Sequence, residues 1–375
     1  LPGKEKTPDP DVRQEDGTPF IGKVWPGDCL FPDFTDSETR QWWGSLHQEL
    51  LDVGIAAIWN DMNEPADFTE ESEHQEPDEV KTMPLTNLHK NDGREATHAE
   101  MHNLYGLMMS KATYQGLRKM TDKRPFVLTR AGYAGIQKYS AFWTGDNQSF
   151  WEHLRLALPM LMNLGVSGIP FIGTDVGGFS YDCTGELLSR WVQLGCFTPL
   201  FRNHAAWGTR DQEPWAFDQE TEEINRKYIR LRYKLLPYIY NLFVEANQTG
   251  LPLMRPLVLE YPGDEEVYRI SDQFMFGENM LIAPIITPAT EYRHVYLPEG
   301  EWYDYWTGER YEGNNHIMVH APLDTLPIFV KEGSIIPNYP VMNYVGEEKV
   351  EQLTLDIYPG NGQNLYYEDD GETLP

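Results

Sequence analysis

The chain has 375 residues, long enough for one large domain or two ordinary ones, and its 41% hydrophobic and 23% charged residues exclude an intrinsically disordered composition. Its formal charge is -28, from 30 basic and 58 acidic residues. That argues against a nucleic-acid backbone or an anionic membrane as partner, since both need a positive face.

Residues 1 to 40 are dense in Pro, Gly and Asp and read as loop. Asp36-Ser37-Glu38 then predicts a capped helix over about 37 to 52, with Trp42, Trp43, Leu46, Leu50 and Leu51 on its apolar face. Gly54 closes it. The stretch GIAAIWNDMNEPADF (54–68) starts as an apolar strand and turns polar within one residue, delivering Asp61, Asn63, Glu64 and Asp67. A buried strand that ends abruptly in carboxylates is what a parallel α/β enzyme presents at the edge of its sheet where ligands sit.

The acidic stretch 69 to 95 reads as an exposed excursion. A helix is expected over about 97 to 119. Its His98 and His102 stand i, i+4, but HAEMH lacks the glutamate position of the zinc-protease pattern, so the pair reads as core or surface rather than as ligands. Strands follow that end at Thr129, Trp143, Gly173 and Phe201, with helices over about 150–163, 185–195 and 219–246, the last expected to kink at Pro237.

This alternation implies a parallel sheet. Polar, Gly-containing or charged loops follow all five strand ends, which favours a (β/α)8 barrel over a doubly wound sheet. Five strands are visible, so three are expected upstream of Leu1. After about residue 250 the pattern changes to short β-branched and aromatic runs (MLIAPII, HVYLP, EWYDYW, HIMVHAP, LPIFV, SIIP, LTLDIYP), which predict an antiparallel β-sandwich. The expected fold is therefore α/β, a partial TIM barrel over 1–258, followed by a β-sandwich domain over 259–340 and the start of a further β domain over 341–375. The chain opens on Leu1 rather than Met and stops just after a strand-like run, so it is expected to be part of a longer protein.

The 11 Trp, 21 Tyr and 16 Phe suit sugar rings, whose apolar faces stack on aromatics while their hydroxyls need polar partners. Cys29, Cys183 and Cys196 form neither a disulfide framework nor a CxxC metal pattern, and suit a reducing, cytoplasmic compartment. No cofactor, metal or membrane segment is expected, and the oligomeric state is not readable. Two carboxylates at nearby strand ends suggest a glycosidase pair. Asp61 or Glu64 could be the nucleophile or base and Asp146 the acid, and the separation of the two carboxyls would decide between retention and inversion.

WNDMNEP (59–65), LTRAGYAG (128–135), WTGDN (143–147), GTDVGGF (173–179) and FRNHA (201–205) together resemble the ordered motifs of glycoside hydrolase family 31, the α-glucosidase family. WPGDCLFPDFT and APIITP also fit. The resemblance implies a retaining α-glucosidase acting on oligosaccharides, with Asp61 as nucleophile and Asp146 as acid/base. It implies that Arg130, Asp175, Arg202 and His204 hold sugar hydroxyls, that Trp59, Met62, Trp143 and Phe179 wall the first subsite, and that Glu64 is supporting. It leaves α-xylosidase, transglucosidase or α-glucan lyase activity on the same scaffold as alternatives, and a noncatalytic sugar-binding protein as a weaker one. The family's earlier barrel strands and amino-terminal sandwich are absent from this sequence, so little activity is expected from the chain alone.

Overall fold

The structure is a computed structural model that describes residues 9–68 and 82–374. They fall into two compact units, one up to Phe142 together with the residues from Asp370 on, the other Trp143–Asp369.

In the first unit the segment read as loop contains a hairpin, β1 (Ile21–Val24) and β2 (Gly27–Leu30), paired antiparallel from Ile21↔Leu30 to Val24↔Gly27. Trp25 and Pro26 make its two-residue turn, and Gly27, the first residue of β2, takes φ +111, a region that favours glycine. Flanking residues supply core: Val12, Phe20, Phe31 and Phe34 pack with Met83 and Tyr105. The early segment is thus less of a loop than its Pro and Gly content suggests.

Helix α1 (Ser37–Ser45) starts as expected, with the Asp36 carboxylate accepting from the Thr39 N–H at 3.0 Å. It does not run to 52. The chain breaks at Leu46–His47 and resumes as α2 (Gln48–Asp52), where His47 Nδ1 lies 3.0 Å from the Trp43 carbonyl and 3.2 Å from that of Gly44. Leu46 and Leu50 are exposed, so the expected apolar face is interrupted there.

Strand β3 (Ala57–Asn60) follows. In the described part of the 69–95 stretch, residues 82–95, residues 84–86 and 92–95 are exposed as expected, but the segment is anchored at three points. Met83, Asn87 and His89 are buried, and β4 (Leu88–His89) pairs with β5 (Ala96–Thr97); residues 69–81 lie outside the described residues. The single helix expected over 97–119 is α3 (His98–Met101), a short 3-10 turn, and α4 (Tyr105–Met120). Helix α4 crosses α1 where Gly44 meets Gly116, so closely that a Cβ on Gly116 would lie 2.4 Å from the Gly44 Cα. Strands β3, β6 (Phe126–Thr129) and β7 (Ala141–Trp143) are parallel neighbours, with Ile58 opposite Val127 and Thr129 opposite Phe142.

In the second unit α5 (Trp151–Val166) leads to β8 (Ile172–Gly173) and β9 (Asp175–Val176). Helix α6 (Gly185–Gly195) follows, buried from Leu187 onward. The strand expected over 198–201 lies later, at β10 (Arg202–Asn203), parallel to β9. Pro199 lacks a donor, and the Arg232 guanidinium takes the carbonyls of Cys196, Thr198 and Pro199 that a sheet would otherwise use. The expected long helix divides into α7 (Gln219–Lys234) and α8 (Leu236–Thr249) beside Pro237.

Beyond it an antiparallel sheet runs in the order β11 (Met254–Pro256), β12 (Phe274–Phe276), β13 (Met280–Ile282), β18 (Ile328–Lys331), β15 (Glu301–Asp304), β16 (Arg310–Glu312). The ribbon of β14 (Tyr292–Leu297) and β17 (Asn315–His320) closes on it through Val295 and Leu297, packed with Met275, Leu281, Trp302 and Phe329. A last pair, β19 (Ile335–Asn338) and β20 (Thr354–Ile357), is also antiparallel. Among the described residues no helix is long and apolar enough to cross a membrane.

Candidate active site

In the first unit Asp61 is the first residue past β3, as the sequence pattern demands. Met62 adopts φ +57, the left-handed region that costs a side-chain-bearing residue about 1–2 kcal/mol, and its N–H donates to Asp61 Oδ1 at 2.8 Å. Arg130 stands one residue past β6. Its Nε lies 2.6 Å from Glu64 Oε1 and 3.4 Å from Asp61 Oδ1, and its Nη2 donates to Glu64 Oε2 at 3.1 Å. The structure therefore brings Asp61, Glu64 and Arg130 into one partly buried ion cluster. Trp59 is 46% exposed.

Asn63 is buried beneath this cluster. Its Nδ2 donates to Thr129 Oγ1 at 2.8 Å, and its Oδ1 accepts from the Ala131 N–H at 3.0 Å. Gly106 of α4 sits on the same backbone, where a Cβ would lie 2.7 Å from the Ala131 carbonyl oxygen and 2.9 Å from that of Asn63.

In the second unit Trp143 is buried, and the Arg202 guanidinium lies 5.1 Å from its ring centre. Arg202 Nε donates to Asp175 Oδ1 at 3.0 Å, with Nη2 closer still on the same oxygen, and Asp175 is fully buried. Phe179 stacks on His204 with ring centres 5.3 Å apart. A cavity of about 430 Å³ is lined by His204, Trp207, Arg210 and Gln212.

Asp146 follows β7 in the loop 144–149. The loop is sewn to β9 and to the loop after it. Asn147 Nδ2 donates to the Asp175 carbonyl at 2.9 Å, and the Asn147 carbonyl accepts from the N–H groups of Phe179 and Ser180 at 2.8 and 3.2 Å. Gly178 makes the contact close, since a Cβ there would lie 2.4 Å from the Ser149 nitrogen.

Sequence reasoning gave Asn63 and Asn147 no role. The signal was present: an amide one or two residues past each strand-end carboxylate. His98 is buried in a chain running from Asp33 through His89 (3.0 Å) to His98 (3.0 Å) and on to His102 (3.3 Å). Among the described residues no group of three or more His, Cys, Asp or Glu side chains is arranged to hold a metal ion.

Parallel strands with carboxylates at their ends, followed by an antiparallel β domain, place the chain in the class of α/β scaffolds that carry polar sites at their strand ends. Residues 5–242 match the glycosyl hydrolases family 31 TIM-barrel domain, and residues 250–336 match the glycosyl hydrolase family 31 C-terminal domain. The chain belongs to glycoside hydrolase family 31. It is 51% identical to "Alpha-glucosidase 2" of Bacillus thermoamyloliquefaciens, over 100% of this chain and 48% of that protein. Among solved structures it resembles a GH31 dextranase from Flavobacterium johnsoniae (TM-score 0.87, 41% identity, 97% of this chain and 45% of that one). It also resembles a GH31 alpha-xylosidase from Xanthomonas citri (TM-score 0.83, 33% identity, 94% and 39%). The chain spans about half the length of the curated relatives it matches.

Proposed function

We propose that the protein containing this chain is a retaining α-glucosidase that removes terminal α-linked glucose from oligosaccharides. The observation that carries the reading is the cluster at the end of β3, where Asp61 lies against an Arg130 already held by Glu64. Asp61 is a carboxylate oriented by a fixed cation and by the Met62 N–H. In the first step an Asp61 oxygen bonds to the anomeric carbon, the glycosidic C–O bond breaks, and Asp146 gives its proton to the departing oxygen. In the second, Asp146 takes a proton from water, the water oxygen attacks the same carbon, and the bond to Asp61 breaks. Two inversions return the starting anomer.

Arg130, Asp175, Arg202 and His204 hold the hydroxyls of the first sugar, and Trp59, Met62, Trp143 and Phe179 wall it. Rigid pairs such as Arg202–Asp175 and Phe179–His204 are what such a subsite needs. The barrel portion is assigned to 1–258, the following β domain to 259–340 and a further one from 341.

A nitrophenyl panel of α-glucoside, α-xyloside and α-galactoside tests this, with the released sugar followed by NMR in the full-length protein. Fast release of α-glucose supports the reading, and β-glucose as first product contradicts it. Xyloside preference would select the second reading, which the alpha-xylosidase likeness favours; an unsaturated anhydrosugar would mark a lyase.

A further inference from the structure

We infer that Asn63 and Asn147 are positioning residues, one for each of the two carboxylates proposed to react. The inference rests on the roles proposed above for Asp61 and Asp146. The two amides stand on different strands and in different compact units, yet do the same thing. Each follows its carboxylate closely in sequence, at +2 and at +1, and each spends its side chain on the end of a later strand and the loop after it rather than on its own loop.

Asn63 uses both ends of its amide on the loop after β6. The donor goes to Thr129 Oγ1 at 2.8 Å, and the acceptor takes the Ala131 N–H at 3.0 Å. Arg130 is the residue between those two partners. The Thr129 hydroxyl in turn donates to the Ala131 carbonyl at 2.8 Å, which completes a closed circuit, and the Arg130 N–H donates to the Asn60 carbonyl at 3.2 Å. Gly106 of α4 lies so close that a Cβ there would meet the Ala131 and Asn63 carbonyls, so only glycine leaves room for the circuit. The spacing between Asp61 and Arg130 is therefore set by Asn63.

Asn147 does likewise for Asp146. Its donor holds the Asp175 carbonyl at 2.9 Å, its Oδ1 shares the Phe179 N–H at 3.3 Å, and its carbonyl takes the same N–H at 2.8 Å. Asp175 is one of the residues proposed to hold the sugar and Phe179 one of those proposed to wall it. An amide that bonds through both its oxygen and its nitrogen, as Asn63 and Asn147 do, cannot be replaced by an apolar side chain without depriving its partners. It cannot be replaced by a carboxylate without losing the donor.

The two clamps make different kinetic predictions because the two carboxylates do different chemistry. Shifting Asp146 slows protonation of the leaving oxygen, so the penalty depends on the leaving group. It is large for a sugar alkoxide and small for fluoride, which departs with little help. Shifting Asp61 slows bond formation to the anomeric carbon, so the penalty falls on both. A misplacement of about 1 Å costs on the order of 100-fold.

The experiment measures kcat/KM for maltose and for α-glucosyl fluoride with full-length protein carrying Asn147→Ala or Asn63→Ala, with thermal midpoints alongside. Asn147→Ala is expected to lose about 30-fold or more on maltose and less than about threefold on the fluoride. Asn63→Ala is expected to lose comparably on both. Equal losses on the two substrates for Asn147→Ala, or no loss for either variant, would overturn the inference. If an alanine variant does not fold, the near-isosteric Asn147→Asp and Asn63→Asp are read the same way. Asp146→Ala is the control: if it shows no leaving-group dependence, the fault lies with the acid/base assignment and not with the clamp.

Discussion

Arg130 is shared unequally between two carboxylates. It gives Glu64 two hydrogen bonds, at 2.6 and 3.1 Å, and keeps Asp61 at 3.4 Å. Glu64 thus holds the cation off the residue proposed as nucleophile while keeping it near enough to orient it. Removing its charge frees the guanidinium to close on Asp61, which ties up the attacking oxygen. Glu64→Gln in the full-length protein is expected to lower kcat/KM by about tenfold, mostly in kcat. Steady-state kinetics on an α-glucoside checks this, and unchanged kcat would show that Glu64 has no such part.

A second prediction concerns packing rather than chemistry. Gly44 and Gly116 bring the backbones of α1 and α4 into direct contact, and a Cβ on Gly116 would lie 2.4 Å from the Gly44 Cα and 2.8 Å from its carbonyl oxygen. No side-chain rotation relieves a backbone overlap. Gly116→Ala is expected to destabilise the first unit by about 1–3 kcal/mol despite the better helix propensity of alanine. Chemical denaturation followed by tryptophan fluorescence measures it; a stabilised variant would mean that the helices part at no cost.

The buried imidazoles give a pH dependence with a definite sign. Burial, and then the neighbouring charges of His89 and His102, push His98 down from 6.5 to about 3. Burial raises Asp33, but the hydrogen bonds from His89 and Thr35 outweigh it and hold its carboxyl below the usual range. The unfolded chain binds a proton at His98 below pH 6.5 and the native one does not, so stability falls as the pH drops from 6.5 toward 3. The slope from this group is at most about 1.4 kcal/mol per pH unit. Asp33 adds to the loss only below its unfolded value of 3.8. Thermal midpoints between pH 7 and 4.5 should fall less steeply in His98→Asn than in the parent; parallel curves would contradict the account.

Much of this was legible in the residues. Strand ends at Trp59, Thr129, Trp143 and Gly173 stood out because an apolar run turns polar within one residue, and the structure has strands there. The Asp36 cap was readable because its signature is local. Less legible were features that depend on distant partners. His47 breaks the first helix through carbonyls one turn back, and Arg232 takes the carbonyls of 196–199 from a helix thirty-odd residues on. The hairpin at 21–30 was hidden by its Pro and Gly content, although Pro26-Gly27 is itself a turn signal. Glu64 was read as loop support, and its grip on Arg130 depends on a strand 66 residues away in sequence.

The account stands on Asp61, and a covalent adduct tests it most directly. Full-length protein is treated with a fluorinated α-glucosyl fluoride that forms the glycosyl-enzyme quickly and hydrolyses it slowly. It is then digested and sequenced by mass spectrometry. The added sugar mass is expected on Asp61, within the peptide containing WNDMNEP, with Asp61→Ala both unlabelled and inactive. A label on Glu64 or any other residue, or an Asp61→Ala protein that still turns over an α-glucoside, would contradict it.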